Sequence, residues 1–338
     1  TAMGKGPNKG ILCKKGFFDT LTDPQGALKM PMIRNNGLLQ GCEYTEAIKY
    51  IAEGLKGVRT KKGPTAIAGI ISPSCTNEEA YLFQKLLRTV FGTNNIDSMA
   101  GAFYAQSLGS FERLLGKGAT TSRISDVANA DGVFVIGADP IAENPVLGVQ
   151  IRISNQKGRA PIIVIGEAKG LSRQITFKVK PTSGTEETLL SALISEIIKA
   201  RPLSGQNPML EEAILALQET PVTQASETCK ISTKDIMRLV DELLPFSNPV
   251  IMFGRGIISS DNVDNVFLLI AALSYAINAR IYILSPYANE RGLFDMGCFH
   301  NMLPGGKTIT FEAYRSCLLY TSDAADDLLC VDLGGRRI

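Results

Sequence analysis

Short runs of apolar residues alternate along the chain with longer segments whose apolar positions recur every three or four residues. The apolar run Val133 to Ile136 predicts a buried strand ended by a turn at Gly137, and Asn144 with Pro145 predicts the start of a helix. Ligands of an open α/β sheet lie beyond the carboxyl ends of its strands, where the free amides of the next helix favour an anion. The segment therefore indicates a phosphate-bearing cofactor, although a strand, turn and helix of this kind also occurs without any ligand.

The same alternation continues on both sides of this segment. The predicted strands are Thr65 to Ile71, Pro161 to Ile165, Ile175 to Val179, Pro249 to Phe253 and Arg280 to Leu284. The predicted helices are Thr45 to Leu55, Asn77 to Val90 capped by Asn77, Glu186 to Ala200 capped by Thr185, Asn207 to Gln218, Thr233 to Leu244 and Val263 to Asn278. Residues 92–118 show no clear period and predict long loops of the active-site type, with at most one short helix, and residues 289–306 predict a surface loop. Short apolar strands separated by helices predict an α/β fold of parallel sheets with helices on both faces.

Composition narrows the classes of function. The 338 residues carry a net charge of +2 and no basic run, which argues against a nucleic-acid partner. No apolar run reaches the length of about 18 residues that a membrane span requires, so we expect no direct membrane insertion. The chain has seven cysteines, of which Cys317 and Cys330 lie in residues 315–338; the other five, at positions 13, 42, 75, 229 and 298, have no paired spacing. This pattern favours a reducing compartment, so we expect a cytoplasmic chain that reaches the inner membrane only through partners.

Both ends of the chain predict a fragment. The sequence begins Thr1-Ala-Met-Gly, so we expect an upstream part of the protein to be missing. Residues 315–338 resemble a translated sequencing-adaptor read of the kind found in metagenomic open reading frames, and they are predicted to be a non-native tail. A short native helix and strand is the alternative for this tail.

Two further features suggest chemistry only weakly. Gly254-Arg255-Gly256 follows a predicted strand and precedes a helix, so it could hold a phosphate, but a single Gly-x-Gly is more often a tight turn. His300 is the only histidine of the chain. A metal site built on several histidines is therefore excluded, and a surface or capping role is predicted for His300.

An ordered set of short motifs resembles the molybdopterin oxidoreductase superfamily, which includes formate dehydrogenase alpha subunits and the large iron–sulfur subunit of complex I. The motifs run from about Asn8 to Thr308. They are Lys9-Gly-Ile-Leu-Cys13-Lys-Lys-Gly16, Pro31-Met-Ile-Arg34, Ser72-Pro-Ser-Cys-Thr-Asn77-Glu-Glu, Gly92-Thr-Asn-Asn-Ile-Asp97, Ile136-Gly-Ala-Asp-Pro-Ile-Ala-Glu-Asn-Pro145, Lys180-Pro-Thr-Ser-Gly-Thr185-Glu, Asp295-Met-Gly297 and Leu303-Pro-Gly305.

The resemblance implies an order of domains. It implies the remnant of an iron–sulfur domain at 1–36, an α/β domain of residues 37–100 plus 246–314, and an inserted dinucleotide-binding-like α/β domain at 101–245. Both α/β domains are expected to be Rossmann-like. In the family, a [4Fe–4S] cluster is held by four cysteines, of which the last corresponds to Cys13, and an electron-relay lysine corresponds to Lys15. Thiolate ligands suit such a cluster, and its other three cysteines would lie upstream of Thr1.

The resemblance also implies a site for molybdopterin guanine dinucleotide. The implied residues are Gly137, Ala138, Asp139, Glu143, Asn144 and Pro145 around one nucleotide, with Thr182, Gly184 and Glu186 near the guanine. One departure concerns the segment after the strand Pro161 to Ile165. Active members usually have Asp and Arg there, whereas this chain has Gly166-Glu-Ala-Lys-Gly170.

A second departure concerns the metal. Active formate dehydrogenases have a metal-binding Cys or selenocysteine followed by His, with an Arg shortly before; in register, Phe103, Tyr104 and Gly101 occupy these positions. Phenylalanine offers no lone pair to molybdenum or tungsten. The sequence therefore favours an electron-transfer and scaffold subunit like the G subunit of NADH:quinone oxidoreductase, with a degenerate pterin site and other subunits of a respiratory complex as partners. The alternative is the catalytic alpha subunit of a formate dehydrogenase-like enzyme that uses molybdenum or tungsten in a formate-oxidising complex.

Overall fold

The fold was analysed in a computed structural model, which describes residues 10–18, 28–98, 123–158, 160–203, 205–217, 219–258, 263–285 and 287–310. The described residues form two compact units. One unit takes its described residues from positions 10–18 and 123–285, and the other takes them from positions 28–98 and 287–310.

Strands and helices alternate through most of the described chain. The strands are β1 (Met32–Asn35), β2 (Leu38–Gly41), β3 (Gly69–Ile71), β4 (Ile96–Ser98), β5 (Val133–Ile136), β6 (Ile162–Ile165), β7 (Phe177–Val179), β8 (Val250–Phe253), β9 (Arg280–Ile283), β10 (Met302–Leu303) and β11 (Lys307–Thr308). The α-helices are Lys14–Phe18, Tyr44–Lys62, Asn77–Lys85, Ile124–Val127, Pro140–Glu143, Pro145–Gly158, Glu186–Ala200, Pro208–Leu215, Val222–Cys229, Thr233–Leu243, Arg255–Ile258, Val263–Ala276 and Glu290–Asp295.

A five-stranded parallel sheet forms the centre of the unit that contains residues 123–285. Its strands lie in the order β7-β6-β5-β8-β9. All four residues are buried in each of β5, β6 and β8. Strands buried on both faces are uniformly apolar because neither face meets water, which is why β5 and β6 were recognisable as continuous apolar runs. The predicted α/β class is confirmed.

Helices cover both faces of this sheet. Val133 and Val135 of β5 belong to a buried cluster with Leu147 and Ile151 of helix Pro145–Gly158. Alternate strand residues point to opposite faces, and on the other face the Phe253 ring contacts the ring of Phe267 with centroids 5.1 Å apart. Phe267 belongs to helix Val263–Ala276, which packs against helix Glu186–Ala200. The sheet therefore lies between two layers of helices.

In the second unit, β3 and β4 form a parallel pair. Their core contains Ile67 and Ile96 together with Leu87 and Phe91 of the π-helical segment Leu86–Phe91. Arg88 of that segment is fully buried and donates to the carbonyls of Gly297, Phe299 and Met302 at 2.8–2.9 Å. These hydrogen bonds connect the residues that follow position 287 to residues 28–98 of the same unit.

The division between the two units differs from the sequence expectation. Residues 246–314 were expected to join 37–100, yet β8 pairs with β5 in full register and β9 pairs with β8. Residues 250–283 therefore complete the sheet of β5, and only the described residues from 287 onward belong with 28–98. The pairing of distant strands depends on a crossover that leaves no trace in the local pattern of β8.

Several local predictions also need correction. The strand predicted at Thr65 to Ile71 begins at Gly69, after the 3₁₀ turn Pro64–Ala66. Residues 289–306 were predicted to be a loop, but they contain helix Glu290–Asp295 and begin the β10–β11 hairpin. The segment at 92–118 was also predicted to lack strands, whereas β4 lies within it. Strands of two or three residues are too short to show a period.

Two predicted helix caps differ as well. Thr76, not Asn77, caps helix Asn77–Lys85 in a reciprocal capping box with Glu79. Thr185 makes no side-chain cap; its hydroxyl donates to the Thr182 carbonyl at 2.7 Å.

Candidate functional site

The order of the sheet creates a switch point between β5 and β8. From β5 the chain continues to β6 and β7 on one side, and it later returns to add β8 and β9 on the other side. In open α/β sheets, ligands bind beyond the carboxyl ends of the two strands at which the direction of winding reverses. The loops that follow Ile136 and Phe253 are therefore the candidate site.

Glycines bring these two loops into direct contact. The Gly256 amide donates to the Gly137 carbonyl at 2.8 Å, and a Cβ added at Gly256 would lie 2.7 Å from that same oxygen. Gly137 has a φ of +54°, a left-handed conformation that glycine adopts without strain. Gly254-Arg255-Gly256 therefore serves the close approach of the β5 and β8 loops, as the tight-turn interpretation predicts.

Asp139 uses both of its carboxylate oxygens on backbone amides. One oxygen accepts from the amides of Ile141 and Ala142 and thereby caps helix Pro140–Glu143. The other oxygen accepts from the Gly170 amide, in the loop after β6, at 3.0 Å. Asp139 thus ties the β5 loop to the β6 loop, and its negative charge is satisfied within the protein.

The carboxylate of Glu143 is only partly hydrogen-bonded. One carboxylate oxygen accepts from the Asp139 amide at 2.8 Å. The other oxygen, Oε2, is buried and has no partner. It lies beside Gly254, where an added Cβ would come within 2.6 Å of it. An unpaired buried acceptor costs about 1–3 kcal/mol, so a donor placed beside this oxygen would stabilise the loop.

Asn144 and Pro145 lie at the start of helix Pro145–Gly158, as predicted. The Asn144 side-chain amide donates to the Ser285 carbonyl at 3.3 Å, which joins the helix start to the end of β9. The free amides of the first turn of this helix carry a partial positive charge. The β5 loop therefore combines an anion-attracting helix start with the carboxylate of Glu143.

Thr182, Gly184 and Glu186 lie after β7, at the same edge of the sheet but two strands from β5. At the usual strand spacing this is about 10 Å from the β5 loop. The Thr182 amide and hydroxyl both donate to the Cys229 carbonyl, at 3.0 and 3.3 Å. Gly184 has a φ of +84° and open space where a Cβ would lie. The predicted residues therefore form two groups, one beyond β5 and one beyond β7.

The loop between these groups contains an ion-pair cluster. Glu167 lies 2.9 Å from the Lys178 ammonium and 3.2 Å from that of Lys180. Hydrogen bonds from Lys178 and then Lys180 lower the pKa of the Glu167 carboxyl. Of these groups, only Glu167 lies in the segment 166–170, where the family resemblance leads one to expect Asp and Arg. Sequence patterns did not reveal the cluster, because Lys178 lies in β7, Lys180 follows β7 and Glu167 follows β6.

The predicted iron–sulfur and metal positions are only partly described. Cys13 is half-buried, and its sulfur accepts from the Gly16 amide at 3.5 Å. Within the described residues, no group of three or more His, Cys, Asp or Glu side chains is placed to hold a metal ion. The side chain of Lys15 and the positions Gly101, Phe103 and Tyr104 lie outside the described residues, as does the predicted tail. His300 is exposed, and its carbonyl accepts from the Asn94 side chain at 2.5 Å.

No helix within the described ranges is long and apolar enough to cross a membrane.

Both the family model and the curated relatives match most of this chain. The family model described as molybdopterin oxidoreductase matches residues 28–303. Formate dehydrogenase H of Escherichia coli strain K12 is 28% identical over 334 residues, which cover 93% of this chain and 46% of that protein. The F420-dependent formate dehydrogenase 1 subunit alpha of Methanococcus maripaludis is 25% identical, with 92% of this chain and 48% of that protein covered. The chain thus spans slightly less than half the length of these two relatives.

A solved structure has the same fold. Acetylene hydratase from Pelobacter acetylenicus matches with a TM-score of 0.63 and 17% identity, over 82% of this chain and 38% of that one. At this level of identity the match supports the architecture alone.

Proposed function

The chain belongs to the molybdopterin oxidoreductase family, and from that premise we propose that its five-stranded sheet holds the nucleotide part of a molybdopterin guanine dinucleotide in a formate dehydrogenase-like subunit. Both relatives described above are formate dehydrogenases by name. Their similarity extends over more than nine tenths of this chain, which supports the formate dehydrogenase branch over the complex I branch. The proposal concerns a longer parent protein, since the chain spans less than half of these relatives.

The single observation that carries the proposal is the switch point between β5 and β8. There the loop of Gly137 to Glu143 leads into the first turn of helix Pro145–Gly158, whose free amides suit a diphosphate. Thr182 and Gly184 lie about 10 Å away at the same edge. A separation of two strands suits an extended dinucleotide better than a single small anion.

The polar groups present fit such a cofactor. The unpaired Oε2 of Glu143 can accept a hydrogen bond, and guanine and ribose offer N–H and O–H donors. Asp139 carries a charge that would repel a diphosphate, but backbone amides already satisfy both of its oxygens. When bound, the cofactor supplies a redox-active metal centre. The residues of this chain would bind and orient the nucleotide and hold the β5, β6 and β8 loops together around it.

A second candidate, a metal-free G-type subunit of NADH:quinone oxidoreductase, is favoured by one observation from the sequence. Phe103, Tyr104 and Gly101 stand where active formate dehydrogenases have Cys or selenocysteine, His and Arg. A protein without a metal-ligating side chain at that position would keep the fold and the nucleotide crevice as a scaffold. Its [4Fe–4S] cluster, with Cys13 as one ligand and Lys15 nearby, would then carry the electrons.

Metal and cofactor analysis of the purified full-length parent protein distinguishes the two candidates. The formate dehydrogenase proposal expects bound guanine nucleotide together with about one molybdenum or tungsten per protein, and formate-dependent dye reduction. Protein that lacks guanine nucleotide, molybdenum and tungsten but still contains iron and acid-labile sulfide would overturn it in favour of the G-type subunit. The same measurement on a Gly254→Ala variant, with circular dichroism used to check that it is folded, tests the site, because a Cβ beside Glu143 should lower the nucleotide content.

A further inference from the structure

A polar cavity lies between helix Pro145–Gly158 and the segment that leads from β6 to β7. Its volume is about 380 Å³, and the described residues that line it are Arg152, Gln156, Gly170, Ser172, Arg173 and Gln174. Two of these side chains are permanently cationic, three are neutral hydrogen-bonding groups, and none is acidic. A cavity of this composition attracts anions.

The two arginines are not neutralised by carboxylates. Within the described residues, no ion pair involves Arg152 or Arg173, although seven ion pairs form elsewhere. The Nη2 of Arg152 donates to the Gly170 carbonyl at 3.3 Å, and its Nε is buried without a partner. Guanidinium groups are costly to bury unless they are paired and hydrogen-bonded. The arrangement is therefore incomplete without a further acceptor.

We propose that this cavity binds a small molecule through its phosphoryl group. A phosphate monoester carries a charge close to −2 near neutral pH and several acceptor oxygens, which matches two guanidinium groups. Arginine recognises phosphoryl oxygens with paired N–H groups, while Ser172 and the two glutamines can donate further hydrogen bonds. A monocarboxylate has one charge and two oxygens, so it would leave part of this donor set unused.

The cavity is separate from the proposed nucleotide site. None of Gly137 to Pro145 and none of Thr182 to Glu186 lines it. Gly170 touches both places, because its amide donates to Asp139 and its carbonyl accepts from Arg152. The two sites are therefore neighbours on either side of the β6 loop, and the phosphoryl site does not depend on whether the nucleotide site is occupied.

Calorimetric titration of the full chain with inorganic phosphate at constant ionic strength tests this proposal. We expect saturable binding that is weakened at least about tenfold by Arg173→Gln, because charge-assisted hydrogen bonds are lost. Arg201→Gln removes an exposed arginine that does not line the cavity and should leave the affinity unchanged. Arg152→Gln should abolish binding, with circular dichroism used to check that the variant is folded.

Three results would overturn the proposal. They are the absence of saturable phosphate binding, equal affinity of wild type and Arg173→Gln, and acetate binding as tight as phosphate at the same ionic strength. Should Arg152→Gln fail to fold, Arg173→Gln decides alone, since Arg173 is exposed and makes no hydrogen bond to the described fold. Loss of the phosphoryl site would leave the nucleotide proposal intact, because its test measures cofactor content of the parent protein.

Discussion

At the residue scale, the side chains of Glu143 and Ala138 leave little room for a Cβ at Gly254. A Cβ at Gly254 would lie 2.6 Å from Glu143 Oε2 and 3.0 Å from Ala138 Cβ. We expect Gly254→Ala to lower the free energy of unfolding by about 1–3 kcal/mol, as overpacking typically does, in urea titrations. Gly54→Ala is the matched control, because Gly54 lies in helix Tyr44–Lys62 with nothing within 4 Å. That variant should be neutral or stabilising by up to about 1 kcal/mol; equal effects of both would contradict the crowding.

Arg88 is the most heavily bonded buried side chain of its unit. It donates to Gln84, Asn94 and three carbonyls after residue 296. Arg88→Leu would leave these acceptors unpaired, and we expect a loss of more than about 3 kcal/mol in thermal or urea unfolding. Arg88→Lys should recover only part of this free energy, because an ammonium group cannot reproduce the planar set of N–H donors of a guanidinium. Arg59→Leu, on the exposed face of helix Tyr44–Lys62, is the control. If it lowered the free energy of unfolding as much as Arg88→Leu, the buried hydrogen bonds of Arg88 would not explain the loss.

Cys298 should be chemically silent in the folded protein. Its thiol donates to the Ala80 carbonyl at 3.2 Å, and burial raises its pKa from 9.0 to about 12. Since the thiolate is the reactive form, peptide-resolved mass spectrometry at pH 8 should show slow alkylation of Cys298 and faster alkylation of the half-buried Cys75. Because the pKa of Cys298 is raised in the folded protein, the contribution of this thiol to the free energy of unfolding is fully present below pH 9 and is lost as pH rises toward 12. Rapid labelling of Cys298 in the native protein would show that its thiol is accessible in solution, which contradicts its burial in the structure.

At the scale of elements, Asp139 holds two loops of the site together. Asp139→Asn keeps an oxygen for the helix cap, but its amide nitrogen cannot accept from the Gly170 amide. We expect faster hydrogen exchange at Gly170 and a stability loss of about 1–2 kcal/mol. Asp241→Asn, at an exposed position of helix Thr233–Leu243, is the control. Unchanged exchange at Gly170 would mean that the bond between the loops does not form in solution.

The sequence predicted well the elements that have a strong period of their own. The bounds of β5 and of helix Glu186–Ala200 match the prediction, because four consecutive apolar residues and a long amphipathic pattern leave few alternatives. Helix Val222–Cys229 was missed, since only Ala225 and Cys229 of its eight residues are buried. The β1–β2 hairpin was missed because its strands are almost wholly exposed. Its stability depends on pairing, which a single strand does not reveal.

In the candidate site, the sequence predicted the positions of residues along the chain but not the contacts between distant loops. The resemblance placed Gly137 to Pro145 at the carboxyl end of a strand, and the structure has them there. The bond from Gly170 to Asp139 and the contact between Gly256 and Gly137 join residues 31 and 119 positions apart. Such contacts depend on the strand order, so they could be found only once the sheet was known. The positions of Phe103 and Tyr104 stay predictions from the sequence.

At the scale of the whole molecule, β8 and β9 decide where the folding unit ends. The boundary predicted at 245 would leave β5 as an edge strand with a row of unpaired backbone groups, because β8 pairs along its full length. A fragment of residues 123–285 contains all five strands and both helical layers, whereas residues 123–245 lack β8, β9 and helix Val263–Ala276. Exposed apolar edge strands promote aggregation.

We therefore expect the 123–285 fragment to be monomeric and to unfold cooperatively in urea, and the 123–245 fragment to aggregate or to lack a cooperative transition. Size-exclusion chromatography and circular dichroism measure both properties. A third fragment, 123–285 with Ile251→Asp, is the matched control: it has the same length, but it places a charge at a fully buried position of β8. It should behave like the shorter fragment, since an unpaired buried charge is among the most destabilising of single changes. A stable, cooperative 123–245 fragment would restore the boundary predicted from the sequence and would make β8 and β9 an addition to an already complete domain.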